Sequence, residues 1–498
     1  MNVNPITRLD YPDPDVIRVE DTYYMVSTTM HFMPGCEILQ SFDLVHWEHV
    51  TYVYETLDHT DAQQLKSGQN IYGQGMWAAS LRYHEGRFYI CFVANDTRKT
   101  YLYTSEKIDG PWKKQLIEGF YHDGSLLFDE DGRNYIVYGN DEIWITELNE
   151  DLTAPKKDGL HRLLVSDHKN PELGYEGSHI QKINGYYYIF LIHSLRDRWM
   201  RTEACFYSDS LEGEFTGGDV LCDDRGYCGQ GVAQGGIVDT PDGKWYAMLF
   251  QDFGAVGRIP ILLPVTWKDH FPFFGQNGHV PEEIEVHSTR PGYIYQPLVG
   301  SDDFCNGLLP RWQFNHDPDP RYYHLDALQG TYTITTREVC TELTQAVNTL
   351  TQRMSYPSCA AEVTVDASAL KEGDVAGLCV LQSCYAAVGI TKNHGKYEVL
   401  MLDKKEDGIL DMTEGTVVES HQMDFRLEAD FCNMKDEARC YYRVNKGDWL
   451  PIGTVHKLYF KLDHFTGCRF GLFCYAAEET GGSACFRDFK YYDVDEIS

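Results

Sequence analysis

The chain has 498 residues and a formal charge of −32, with 43 Lys and Arg set against 75 Asp and Glu. That length is about three times the ~150 residues of an ordinary domain, and that charge repels nucleic acid and anionic membrane surfaces alike. Aromatic residues make up 13% and glycine fills 43 positions, a mixture that suits short strands and tight turns, so an all-β fold is expected.

In chain order, the first residues, Met1-Asn2-Val3-Asn4-Pro5-Ile6-Thr7-Arg8, lack the apolar core of a signal peptide, and a cytoplasmic protein is expected. No stretch approaches the ~18 uncharged apolar residues of a membrane span; Ile259 to Trp267, interrupted by prolines, is typical of the longest. The 15 cysteines include no Cys-x-x-Cys pair and read as small buried hydrophobes, not as a disulfide framework or a zinc site.

A repeat dominates residues 13 to 246. Five copies begin at Asp13, Trp77, Asp123, Glu176 and Gln234, each a short strand, a turn and a strand of aromatics. In the last four a glycine stands nine residues on (Gly86, Gly132, Gly185, Gly243) and a tyrosine twelve on (Tyr89, Tyr135, Tyr188, Tyr246); the first keeps the frame with Thr22 and Met25. The turn pairs Glu85-Gly86, Asp131-Gly132, Asn184-Gly185 and Asp242-Gly243 predict a β-hairpin in each. Spacings of 64, 46, 53 and 58 residues allow a four-stranded blade per copy, which predicts a five-bladed β-propeller over residues 1–297. Near Gly300-Ser301-Asp302-Asp303-Phe304 the pattern stops at a linker. Strand-like stretches follow at Gly330 to Thr336, Ala360 to Val365, Ala376 to Gln382, Tyr397 to Leu402, Cys440 to Arg443, Leu458 to Leu462 and Phe470 to Tyr475. They predict a β-sandwich of the jelly-roll, concanavalin-like kind over residues 298–498.

In a propeller the starts of the innermost strands converge at one mouth of the central channel. The in-phase residues are Asp13, Trp77, Asp123, Glu176 and Gln234. Three acids on one axis repel each other and lose hydration, a cost that a ligand, a metal or a shared proton would offset. Taken singly each acid would more often be a turn or cap residue, as Asp13 between Pro12 and Pro14 illustrates. Paired carboxylates beside an aromatic wall match glycoside hydrolysis, one acid protonating the departing oxygen while another activates water or attacks directly. Trp77 offers a platform for a sugar ring, and the charge of Asp123 disfavours ionisation of Glu176. A calcium ion held by the carboxylates and an amide is the second reading, although their dispersed spacing differs from that of an EF-hand loop.

These residues resemble glycoside hydrolase family 43. The likeness is carried in order by Tyr11-Pro12-Asp13-Pro14-Asp15-Val16-Ile17-Arg18, Trp77-Ala78-Ala79-Ser80-Leu81-Arg82-Tyr83, His122-Asp123-Gly124-Ser125-Leu126 and Tyr175-Glu176-Gly177-Ser178-His179-Ile180, and the trailing sandwich resembles the domain many members carry. The resemblance implies an inverting exo-glycosidase releasing β-D-xylose or α-L-arabinofuranose, with Asp13 as general base, Glu176 as general acid and Asp123 tuning and orienting that acid. It implies an oligosaccharide as partner and no required cofactor, with a structural or activating calcium in the channel and a homo-oligomer both left open. Arg258, in Val256-Gly257-Arg258-Ile259-Pro260, matches an arginine that reaches the sugar in relatives, or else pairs with one of the acids. Met30 stands where close xylosidase relatives carry an aromatic, and with Phe32 it is expected to contact substrate; its other reading is core filling. Gln234 replaces a frequent histidine that helps hold a central metal in some members, and Ala79 and Ser178 replace prolines common in the xylosidases. A retaining invertase-type propeller would require Asn-Asp-Pro-Asn-Gly, Arg-Asp-Pro and Glu-Cys, none of which stands at these positions. A non-catalytic sugar-binding propeller would have lost an acid, and none is missing.

Overall fold

The computed structural model describes residues 2–493. Five four-stranded antiparallel sheets follow one another between Asp15 and Phe274, each contiguous in sequence, and they are the five blades of a propeller. Their innermost strands are Asp15–Val19, Ser80–His84, Ser125–Phe128, Glu176–Ile183 and Ala233–Asp239, so each repeat start stands at or just before an innermost strand, at one end of its blade. Two of the turn pairs adopt the left-handed backbone at both residues, as a two-residue hairpin demands: Glu85 and Gly86 at φ 48° and 78°, Asn184 and Gly185 at 51° and 85°. The other two lie in longer turns closed by Gly132 N–H to the Asp129 carbonyl and Gly243 N–H to that of Thr240.

Alternation along each strand explains why the blades read as nearly continuous apolar runs. Tyr135 and Val137 pack toward blade four with Ile189 and Leu191, whereas Ile136 between them packs toward blade two with Cys91 and Leu102. Ile90 and Phe92 face blade one, and Tyr188 and Phe190 face blade five. Met248 and Leu262 of blade five close the ring against Met25 and Leu39 of blade one. Both faces of every blade are therefore core.

The sandwich consists of a seven-stranded sheet and a larger one. Strands at Tyr323–Asp326, Leu350–Arg353, Ala386–Asn393 and Gln422–Asp430 join the expected ones. The last of these sets the buried apolar residues Met423, Phe425, Leu427 and Ala429 at every second position, a legible signal. The expected linker is already sandwich: Asp302 N–H donates to the Phe489 carbonyl and Phe304 is fully buried. The expected strand at Leu458 to Leu462 does not form. The edge strand Leu450–Lys457 ends before it: buried Leu458 donates its N–H to the Asp436 carbonyl in register with the pairing of Lys457 and Glu437, and there the partner strand stops, Asp436 having a left-handed φ of 48°. A turn follows in which Phe465 N–H reaches the Lys461 carbonyl at 2.8 Å.

Propeller and sandwich share a sheet. Phe32–Met33, between the second and third strands of blade one, pairs with Gln313–Asn315 at the end of the larger sandwich sheet. Arg469 stacks on Phe32 at 3.5 Å. Beside them His31, His316 and His464 gather around Tyr72, His464 stacking on it at 3.9 Å. Burial pushes all three histidines below their ordinary range, so they are neutral packing groups at pH 7.

One buried ion pair crosses the seam: Arg353 Nη1 lies 2.7 Å from Glu37 Oε2, both almost fully enclosed. Burial works against the Glu37 carboxylate, but Arg353 and His49 prevail and hold it at about 2, against 4.5 when unfolded. A carboxyl lowered in this way stabilises the fold fully above pH 4.5 and loses that contribution as pH falls toward 2. Arg353→Met is expected to cost about 3–5 kcal/mol at pH 7 by stranding the Glu37 charge. Thermal melts of wild type and variant should differ by several degrees at pH 7, draw together below pH 4.5 and converge only as pH approaches 2; parallel melts at all pH values would show the pair to be inert.

Candidate active site

Asp13 lies just before the innermost strand of blade one, with φ of 53° and 7% of its surface exposed. The left-handed backbone of a non-glycine residue is uncommon and costs strain, yet Asp13, Asp123 (φ 48°) and Gln234 (φ 62°) share it at equivalent places in three blades. Asp13 and Asp123 both reach His122 at one mouth, and the Gln234 side chain lies against Gly177. Asp13 Oδ2 accepts the Thr28 hydroxyl at 2.6 Å, and Oδ1 lies 3.3 Å from Arg258 Nη1. Arg258 is aimed by its own N–H, which donates to Asp10 Oδ1 at 2.8 Å.

Asp123 Oδ2 accepts the N–H of Gly177, the residue after Glu176, at 2.9 Å. Gly177 has φ of 65°, and a Cβ there would lie 2.7 Å from the Gln234 side chain, so only glycine fits the close approach of blades four and five. Burial pushes the Asp123 carboxyl up to about 6; His122 opposes the rise, and the charges of Glu176 and Asp13 add to it. Asp123 therefore feels both of the other acids across the mouth.

His122 and Asn140 are site residues that the repeat does not reveal. His122 Nε2 lies 3.5 Å from Asp123 Oδ2 and 3.4 Å from Glu176 Oε2. Asp123 above all, with Glu176 and Asp13, raises the imidazole to about 9 against the pull of burial, so it is a cation at neutral pH. Asn140 Nδ2 donates to Glu176 Oε2 at 2.6 Å. Arg201 lies close enough to feel the charges of Glu176 and Asp13; burial and the neighbouring Arg258 bring it down to about 10.

Trp77 forms a wall of the mouth, its ring 6.0 Å from His122 and 5.4 Å from Phe465, with a buried Nε1–H that has no protein acceptor. Phe465 comes from the sandwich: its carbonyl accepts Arg258 Nη2 at 3.3 Å and its ring lies 4.3 Å from the guanidinium. Gln234 donates its N–H to buried Glu203. Met30 is 2% exposed and bridges its backbone to Met76, the residue before Trp77. Phe32, also 2% exposed, belongs to the seam under Arg469, paired through its backbone with Asn315.

Among the described residues, two places near the acids bear on calcium, and neither is a free set of oxygens. In the channel beyond the acids the Arg82 guanidinium bonds Asp15 at 2.8 Å, Ser125 at 2.7 Å and the Leu126 carbonyl at 2.8 Å, so a fixed cation already engages those oxygens. At the mouth, His122, Asp123 and Glu176 bring one ligand atom each to within 4.8 Å of one another. The middle one is an imidazole, where calcium takes oxygen.

The model of glycosyl hydrolases family 43 matches residues 3–272, and that of the β-xylosidase C-terminal concanavalin A-like domain matches residues 301–492. A β-xylosidase of Formosa agariphila is 26% identical over 99% of this chain and 89% of its own. A non-reducing end α-L-arabinofuranosidase of Bacteroides ovatus is 24% identical over 82% of this chain and 79% of its own. Among solved structures, a bifunctional GH43-CE protein of Bacteroides eggerthii superposes with a TM-score of 0.93 at 42% identity; it is matched by all of this chain, which spans 64% of its length. A GH43 glycoside hydrolase engineered to display both endo-xylanase and exo-arabinofuranosidase activity superposes at 0.86 with 27% identity over 99% of both chains.

Proposed function

This chain belongs to glycosyl hydrolases family 43, and from that premise we propose that it removes terminal β-D-xylose or α-L-arabinofuranose from short oligosaccharides with inversion. The observation that carries the reading is the meeting of Asp13, Asp123 and Glu176, from three blades, in one aromatic-walled mouth. Asp13 is the general base. Thr28 and Arg258 hold its carboxylate so that one oxygen can take a proton from a water below the sugar ring. Glu176 is the general acid. Asn140 and His122 engage its Oε2, which leaves Oε1 to carry the proton to the glycosidic oxygen. Asp123 acts through the chain of blade four, anchoring Gly177 and thereby the direction of Glu176. Inversion requires the two reacting carboxyls to stand about 6.5–9.5 Å apart, with water between base and sugar.

Support for the sugar comes from both sides, since relatives of comparable identity are named for xylose and for arabinofuranose. Side-by-side rates on an aryl β-D-xyloside and an aryl α-L-arabinofuranoside, with the first-formed anomer followed by NMR, decide between them. The expected result is turnover of at least one with inverted configuration. A retained anomer, or no turnover of either, overturns the reading.

A further inference from the structure

Of the nine tryptophans, Trp199 alone is exposed, at 45% of its surface. Isolated apolar side chains on a surface need no explanation; three observations set this one apart. First, register places it: in blade four Glu176 pairs with Ile192, Ile192 with Glu203 and Ser194 with Arg201. Arg201 therefore starts the third strand at the same end of the blade as Glu176, about 10 Å across the sheet at the usual strand spacing. Second, the turn that presents Trp199 is built. Leu195 N–H meets the Met200 carbonyl at 3.1 Å, and the buried Ser194 hydroxyl accepts Met200 N–H at 2.7 Å. Third, the ring is backed. The Arg201 guanidinium, paired with Asp252, lies 5.2 Å from the centroid of the Trp199 ring and 5.4 Å from that of Phe250. Phe250 in turn lies 5.5 Å from Arg258, the partner of Asp13.

A packed row of side chains thus runs from the reacting carboxylates out to an exposed indole on the acid's blade. We propose that Trp199, steadied by Arg201, is the platform on which the leaving-group part of the oligosaccharide packs, one or two rings beyond the scissile bond. An indole face matches the C–H face of a pyranose and gives up little conformational freedom on binding. The proposal rests on the glycosidase reading above and adds a residue that selects chain length over the bare terminal sugar.

The test compares wild type, Trp199→Ala and Trp199→Phe on two substrates of the preferred sugar: its trisaccharide and its glycosyl fluoride, which has no leaving-group ring. For Trp199→Ala the ratio of kcat/KM on trisaccharide to that on fluoride should fall about five- to tenfold, through KM, with Trp199→Phe restoring most of it. A ratio unchanged in Trp199→Ala, or a loss equal on both substrates, overturns the platform. Wild type inert on both substrates would instead overturn the glycosidase reading itself.

Discussion

Asp13→Asn is expected to lower kcat about a thousandfold or more, because general-base assistance contributes on the order of 10²–10⁴ and Asp13 supplies the only carboxylate that Arg258 and Thr28 hold at this edge of the mouth among the described residues. The amide keeps an oxygen for the Thr28 hydroxyl, so folding and affinity for the free monosaccharide should survive, as checked by circular dichroism and by competitive inhibition. Asparagine is the sharper choice over alanine, since Arg258 is 2% exposed and a void beside a buried guanidinium would confound catalysis with stability. Activity within tenfold of wild type would remove Asp13 as base.

Glu176→Ala is expected to show a loss that depends on the leaving group. On an unactivated disaccharide kcat should fall about a thousandfold, whereas on a dinitrophenyl glycoside, whose phenolate departs unaided, most of the rate should return. The high-pH limb of the rate profile, which reports loss of the donated proton, should vanish with it. Equal losses on good and poor leaving groups would assign Glu176 to binding instead of proton donation.

The repeat was legible because propeller blades impose a common frame: Asp13, Asp123, Glu176 and Gln234 occupy equivalent kinks or strand starts, and hairpins such as Asn184-Gly185 punctuate the chain at a fixed offset. Residues that support these acids from outside that frame were not legible. His122 is adjacent to Asp123 in sequence, yet its role depends on Glu176 standing across a blade boundary. Asn140 closes the far end of the second strand of its blade, a place to which no repeat position points. Phe465 stands 207 residues from the arginine it covers, at the turn where a strand had been expected. Period-two reasoning fails there because the partner strand begins only at Glu437, so the ladder gives out at Leu458 and Asp436 and leaves the following residues nothing to pair with. Phe32 was expected beside the substrate with Met30, and its surroundings come from Arg469 and Asn315 of the other half of the chain, which local sequence cannot announce.

The two-residue strand Phe32–Met33 that blade one lends to the sandwich bears on how such proteins can be recombined. A truncation after the propeller would uncover raw hydrogen-bonding backbone next to a stripped guanidinium-binding aromatic, an invitation to cross-chain pairing and precipitation. Grafting a foreign C-terminal module would likewise fail unless the graft brought its own border strand to receive residues 32 and 33 and its own loop to fill the place of Phe465.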